Sequence, residues 1–166
     1  MKLSIIIPCY NEFSRLPLIT FENFIVKNSD CEFCFVNDGS TDKTDSVLNY
    51  LRDKYTQNVT VIHLPRNFGK GEAVRQGINY ILENNAPQYL CYADADLSTP
   101  LEEVKRIFSL MQEQQGLLFV FGSRVSVFGS KISRLNYRHY GGRIIATMID
   151  FVLGLSIYDT QCGVKI

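Results

Sequence analysis

The chain has 166 residues, 46% hydrophobic and 20% charged, which is enough to bury a core and short enough to read as one domain over 1–166. Its 17 basic and 17 acidic side chains give a formal net charge of zero, which removes the electrostatic basis for bulk nucleic-acid binding. Five cysteines (Cys9, Cys31, Cys34, Cys91, Cys162) are an odd number, and four lie in or beside apolar runs. They read as buried reduced thiols and favour a cytoplasmic protein.

Residues 3–7, apolar apart from Ser4, run into the block Pro8-Cys-Tyr-Asn-Glu12, the pattern of a buried strand leaving a sheet. The strand starts so early that no signal peptide is expected ahead of it. Residues 14–26 have helical spacing, with Leu16, Ile19, Phe24 and Ile25 apolar and Pro17 restricting the start. A second strand over 32–37 ends in Asp38-Gly-Ser-Thr-Asp42. Thr41 or Asp42 can cap a helix over 43–54 whose Val47, Leu48 and Leu51 face inward. A third strand, 59–64, holds His63, read as structural. Asn67-Phe-Gly-Lys-Gly71 then opens a helix over 71–83 with Ala73, Val74, Ile78 and Ile81 on one face. A fourth strand, 89–93, leads into Asp94-Ala-Asp-Leu-Ser-Thr-Pro100. Thr99 as cap, Pro100 at the first helical position and Glu102-Glu103 in the first turn predict a helix to about Gln114. Its apolar positions are Val104, Ile107, Phe108 and Met111. Residues 117–121 read as a fifth strand. After it, 122–140 carries Arg124, Lys131, Arg134, Arg138 and His139 with no acidic residue, and a helix is expected over about 142–153. The longest apolar stretch, 144–157, contains Asp150 and is too short to span a bilayer.

Alternating strands and helices of this kind imply an α/β fold, a mainly parallel sheet with helices on both faces. Ligands in such sheets sit at the carboxyl ends of the strands. The polar blocks after Ile7, Asn37 and Ala93 all fall there and are expected to converge.

The Asp94-Ala-Asp96 step is the most informative of these blocks. Strand alternation would put both carboxylates on one side, where they repel unless a cation or proton lies between them. Hard divalent ions take oxygen ligands and commonly share them with substrate phosphates, so the pattern suggests a metal-diphosphate site. The bland alternative makes the pair cap and turn residues. Asp38 can accept hydrogen bonds from a base or ribose, Gly39 allows a tight turn, and Asp42 reads as a cap. Lys70, between two glycines at a helix start, suits an anion, although the spacing is not that of a Walker A loop. The basic stretch places Arg124 and Arg138 where forked hydrogen bonds can hold a phosphate; a solvated surface is the alternative.

Together these blocks resemble family 2 of the glycosyltransferases, which have a GT-A fold, and especially its polyprenyl-phosphate (dolichyl-phosphate) glucosyl branch. The blocks are Ile6-Ile-Pro-Cys-Tyr-Asn-Glu12, Val36-Asn-Asp-Gly-Ser-Thr-Asp42, Asn67-Phe-Gly-Lys-Gly71, Asp94-Ala-Asp-Leu-Ser-Thr-Pro100, Gly122-Ser-Arg124 and Asp159-Thr-Gln-Cys-Gly163. By matching position, the resemblance implies that Pro8, Tyr10, Glu12, Asp38 and Gly39 line the nucleotide pocket. Lys70, Asp94 and Ala95 would meet the nucleotide sugar, and Asp94 and Asp96 would hold Mg²⁺ or Mn²⁺. Asp96, Arg124, Arg138 and Asp159 would be the catalytic group, the arginines on the acceptor phosphate. The implied donor is UDP-glucose, with GDP-mannose the alternative, and the implied acceptor is a lipid phosphate. Ser98, where mannosyl members carry glutamine, leans toward the glucosyl branch. Family members continue past the last block with helices that hold the lipid, so the chain is expected to lack a C-terminal membrane-associated region and to act at the cytoplasmic face of a membrane. Two other readings stay open: transfer to a sugar hydroxyl, for which Asp159 would be the base, and a catalytically silent nucleotide-sugar-binding module.

Overall fold

A computed structural model describes residues 2–84, 87–114, 117–120 and the backbone of 164–166 with the side chain of Ile166. The elements are β1 (Leu3–Cys9), α1 (Leu18–Lys27), β2 (Cys31–Asn37), α2 (Thr44–Lys54), β3 (Val59–His63), α3 (Lys70–Asn84), β4 (Tyr89–Ala93), α4 (Leu101–Glu113) and β5 (Val164–Lys165). They build one sheet in the order β3-β2-β1-β4-β5. The first four strands are parallel, and β5 is antiparallel to β4. This is the expected α/β fold.

Strand alternation sorts the core into two layers. Leu3, Ile5, Ile7 and Cys9 of β1 lie with Phe33 and Phe35 of β2 against Phe21 and Phe24 of α1, Leu48 and Leu51 of α2, and Leu101, Val104 and Phe108 of α4. Ile6, Cys34 and Val36 point the other way, onto Ala73 and Ile81 of α3. Phe21 seals the first layer by meeting the rings of Phe33 and Phe35 edge-on at 6.0 and 5.2 Å. Each buried side chain of this size contributes about 1.5–3 kcal/mol relative to exposure. The four free cysteines among the described residues, Cys9, Cys31, Cys34 and Cys91, are buried as expected.

Three local expectations are corrected. The helix read from Ser14 starts at Leu18, with Pro17 at its N-cap, because the N–H groups of Arg15 and Leu16 close a turn onto the Glu12 carbonyl. The helix after β4 starts at Leu101 with Pro100 at its N-cap and no side-chain cap bond, so Thr99 does not cap it. The strand read over 117–121 is absent from 117–120, where Leu118 is 96% exposed. The place beside β4 is taken by β5, and Val120 only exchanges two backbone hydrogen bonds of 2.8 Å with Ile166. Phe121 and the helix expected over 142–153 lie outside the described residues. Among the described residues no helix is long and apolar enough to cross a membrane.

Candidate functional site

The carboxyl ends of β1, β2 and β4 carry the predicted residues, and each end is tied to a neighbour. After β1, Tyr10 is half-exposed and Asn11 takes a left-handed conformation with φ of 52°, which Asn tolerates better than most residues. From there the Asn11 side-chain oxygen accepts the Thr41 N–H at 2.8 Å and the Asp42 N–H at 3.4 Å, and its own N–H donates to the Ser40 hydroxyl at 3.0 Å. Glu12 and Phe13 add two more ties, donating their N–H groups to the Thr44 hydroxyl (2.8 Å) and the Asp42 carboxylate (3.2 Å). Asp42 also accepts the Thr44 N–H at 2.9 Å, but α2 begins at Thr44 with Lys43 at its N-cap and no side-chain cap bond, so neither Thr41 nor Asp42 holds the N-cap position expected of it.

The Glu12 carboxylate is paired with Arg15 at 2.7 Å through Oε1, while Oε2 is buried with no hydrogen-bond partner among the described residues. Burial pushes the Glu12 carboxyl up; Arg15 opposes this, and the negative charges of Asp96 and Asp42 reinforce it. Asp96, in the loop after β4, thus opposes ionisation of Glu12, in the loop after β1.

At the end of β2, Asp38 is only 2% exposed. Its Oδ1 accepts the Phe68 N–H at 2.8 Å and its Oδ2 the Gly69 N–H at 2.9 Å, so the carboxylate fixes the loop that carries Lys70. Gly39 has φ of 62°, and a Cβ there would fall 2.2 Å from the Arg66 carbonyl carbon, so only glycine lets the two loops approach. His63 sits in a supporting place: Nδ1 lies 3.2 Å from the Asn37 amide nitrogen and Nε2 lies 3.1 Å from the Asn49 amide oxygen.

β4 ends at Ala93, so Asp94 and Asp96 belong to a turn rather than a strand, and strand alternation does not govern them. The Leu97 N–H closes that turn onto the Asp94 carbonyl at 3.1 Å, with Leu97 at φ of 50°. The two carboxylates converge all the same, on Ser98. Its hydroxyl lies 3.5 Å from Asp94 Oδ2, and its N–H donates to Asp96 Oδ1 at 2.9 Å. Ala95 between them turns its methyl into the core at 5% exposure and offers the site only backbone. The Lys70 ammonium is ion-paired with Asp94. Pro8 is half-buried at the end of β1. Arg124, Arg138 and Asp159 lie outside the described residues, as do His139 and Asp150.

Among the described residues no group of three or more His, Cys, Asp or Glu side chains is arranged to hold a metal ion. Asp94 and Asp96 are two hard oxygen donors beside Ser98, the first of them paired with Lys70. Sequence pattern assigns no role to Asn11, Arg15 or Thr44; an asparagine two positions past a strand end is the one visible signal for the first of them.

These features meet where the strand order turns back, β1 leading outward to β2 and β3 while β4 lies on its other side. The profile described as Glycosyl transferase family 2 matches residues 4–165. The chain belongs to this family. Along its full length this family 2 chain is homologous to dolichyl-phosphate beta-glucosyltransferases. That of Mus musculus is 32% identical over 182 residues, covering 99% of this chain and 54% of the mouse protein. The undecaprenyl-phosphate 4-deoxy-4-formamido-L-arabinose transferase of Photorhabdus laumondii is 28% identical over 167 residues, covering 99% of this chain and 48% of its own. The chain thus spans about half the length of these curated relatives. The crystal structure of glucosyl-3-phosphoglycerate synthase from Mycobacterium tuberculosis, bound to uridine diphosphate, superposes with a TM-score of 0.62 at 17% identity. That match covers 99% of this chain and 56% of the synthase, and it establishes the shared GT-A fold.

Proposed function

We propose that this chain is the donor-binding catalytic domain of a transferase that moves glucose, with inversion, from UDP-glucose to a polyprenyl or dolichyl phosphate at the cytoplasmic face of a membrane. The observation that carries the reading is the grouping of Lys70, Asp94, Asp96 and Glu12 at the reversal of strand order, in a family 2 chain related to lipid-phosphate glycosyltransferases. Ser98 in place of the mannosyl glutamine supports the glucosyl branch.

In this reading Tyr10, Glu12 and Asp38 line the nucleoside end. Asp38 does so while holding Phe68 and Gly69, so the loop after β2 is tied to the loop that carries Lys70. Lys70 holds a diphosphate oxygen through its ammonium. The donor set at Asp94 and Asp96 fits Mg²⁺ or Mn²⁺ when diphosphate oxygens complete the sphere. Such a cation, when bound, supplies neutralisation of the charge that grows on the leaving diphosphate. Arg124 and Arg138 orient the acceptor phosphate so that its oxygen attacks the anomeric carbon from the face opposite the diphosphate. That phosphate has a second pKa of about 6 and is ionised at neutral pH, so the chain need not supply a strong base.

Thermal unfolding with UDP, UDP-glucose, GDP and GDP-mannose, each with and without Mn²⁺, tests the reading. A ligand at about 100 times its dissociation constant adds about 2.7 kcal/mol. The expected result is a metal-dependent rise with the uridine compounds alone. A rise with the guanosine compounds alone would overturn the donor, and no rise with any of the four would overturn the function.

A further inference from the structure

The ion pair between Lys70 and Asp94 has a consequence for how the site is loaded. Lys70 is the first residue of α3, and Asp94 follows β4 on the far side of β1 from the strand that leads to α3. The ammonium sits on Asp94 Oδ1 and lies 5.4 Å from the centre of the Tyr92 ring, so it is held from two sides. Asp94 is the better shielded partner, with its side chain 26% exposed against 54% for Lys70. Asp96 has no cationic partner among the described residues; its Oδ1 takes the Ser98 N–H.

We propose that Lys70 is a built-in counter-ion that blocks Asp94 to free divalent cations until a diphosphate draws the ammonium away. The inference rests on the donor reading above and adds an order to it: the cation loads with or after the diphosphate, never ahead of it. The physical argument is a charge count. With Lys70 in place, the pair Asp94 and Asp96 presents one net negative charge, and for Asp94 to hold a divalent ion the ammonium on Oδ1 would have to be displaced and would remain a neighbouring positive charge. A diphosphate changes both terms. It gives Lys70 a more strongly charged partner within the swing of one flexible side chain, and it brings oxygens that fill the cation's remaining positions. Lys70 therefore serves twice: it ligates the donor, and it keeps the carboxylates from capturing metal in the empty site.

Mn²⁺ binding to the full chain, followed by electron paramagnetic resonance of the free ion, tests this without any turnover. In the absence of nucleotide, Lys70→Met and Lys70→Gln are expected to bind Mn²⁺ roughly fivefold or more tightly than the wild type, the worth of releasing one exposed ion pair and one neighbouring positive charge. Adding Asp94→Asn to Lys70→Met should abolish that gain. With UDP present, the enhancement of Mn²⁺ affinity should be smaller in both Lys70 variants than in the wild type. If both variants bind Mn²⁺ alone no better than the wild type while UDP with Mn²⁺ still binds, the counter-ion role is overturned and the donor reading stands. If no form binds Mn²⁺ with or without UDP, the metal site and the counter-ion role fall together, and UDP binding measured by unfolding decides the donor reading separately.

Discussion

Glu12 is the residue whose surroundings resist its charge most plainly. One carboxylate oxygen is held by Arg15, which is itself 62% exposed, and the other is buried without a partner among the described residues. Burial, and then Asp96 and Asp42 against the opposing Arg15, raise its carboxyl above the ordinary 4.5. The sign for stability follows from proton linkage. Between 4.5 and the raised value the folded chain holds the proton and the unfolded chain does not, so stability falls as pH rises through that window. Glutamine keeps an acceptor for Arg15 and removes the charge. The difference in unfolding free energy between Glu12→Gln and the wild type, measured in urea, should therefore be flat below about pH 4.5 and move in favour of the variant above it. A difference that does not change with pH would mean that Glu12 carries no such penalty. The family resemblance pointed to Glu12 as a pocket residue; the burial of Oε2 comes with the folded loop after β1, which no local pattern encodes.

Among the elements, α3 shows where reading periodicity succeeds and where it stops. Ala73, Val74, Ile78 and Ile81 were legible as one face, and Ala73 and Ile81 are buried. The third buried position is Gly77, which a hydrophobic pattern does not count. A Cβ there would lie 2.6 Å from Ile6 Cγ2 and 3.0 Å from Val36 Cγ2, so the helix packs closely on the sheet at this glycine. Gly77→Ala should gain about 1 kcal/mol in helix propensity and lose about 1–3 kcal/mol to overpacking. A lower urea midpoint is the expected result. A higher one would show that the ends of Ile6 and Val36 turn aside at no cost. The first four strands were legible to within two residues because each is a short apolar run closed by turn residues. The misread run at 117–120 is equally apolar. Pairing at a sheet edge is decided by which distant segment arrives there, and the two residues of β5 are too few to give a periodic signal.

At the scale of the whole molecule, the parallel sheet delivers three separate loops to one end, and side chains rather than strands join them there. Asn11 links the loop after β1 to Thr41 and Asp42 after β2, and Asp38 links the loop after β2 to Phe68 and Gly69 before α3. Convergence of the motifs followed from the strand–helix alternation alone, and the family blocks placed the residues along the chain. The links themselves are contacts 29 to 31 positions apart in sequence, between loops with no periodicity of their own. Because the two links use different side chains, they can be broken one at a time, and amide hydrogen exchange reads each directly. Asn11→Ala removes the acceptor for the Thr41 and Asp42 amides. Their exchange should quicken about fivefold, the worth of one net hydrogen bond near 1 kcal/mol, while the Phe68 and Gly69 amides, still held by Asp38, keep their rates. Asp38→Asn should do the reverse, because an amide group presents a donor to one of the two N–H groups that its carboxylate satisfied. If either variant quickens all four amides together, the loops open as one unit and Asn11 and Asp38 are not separate links. If each variant affects only its own pair, the proposed donor pocket is assembled from separately tied parts, which a nucleotide bound as proposed would have to order jointly.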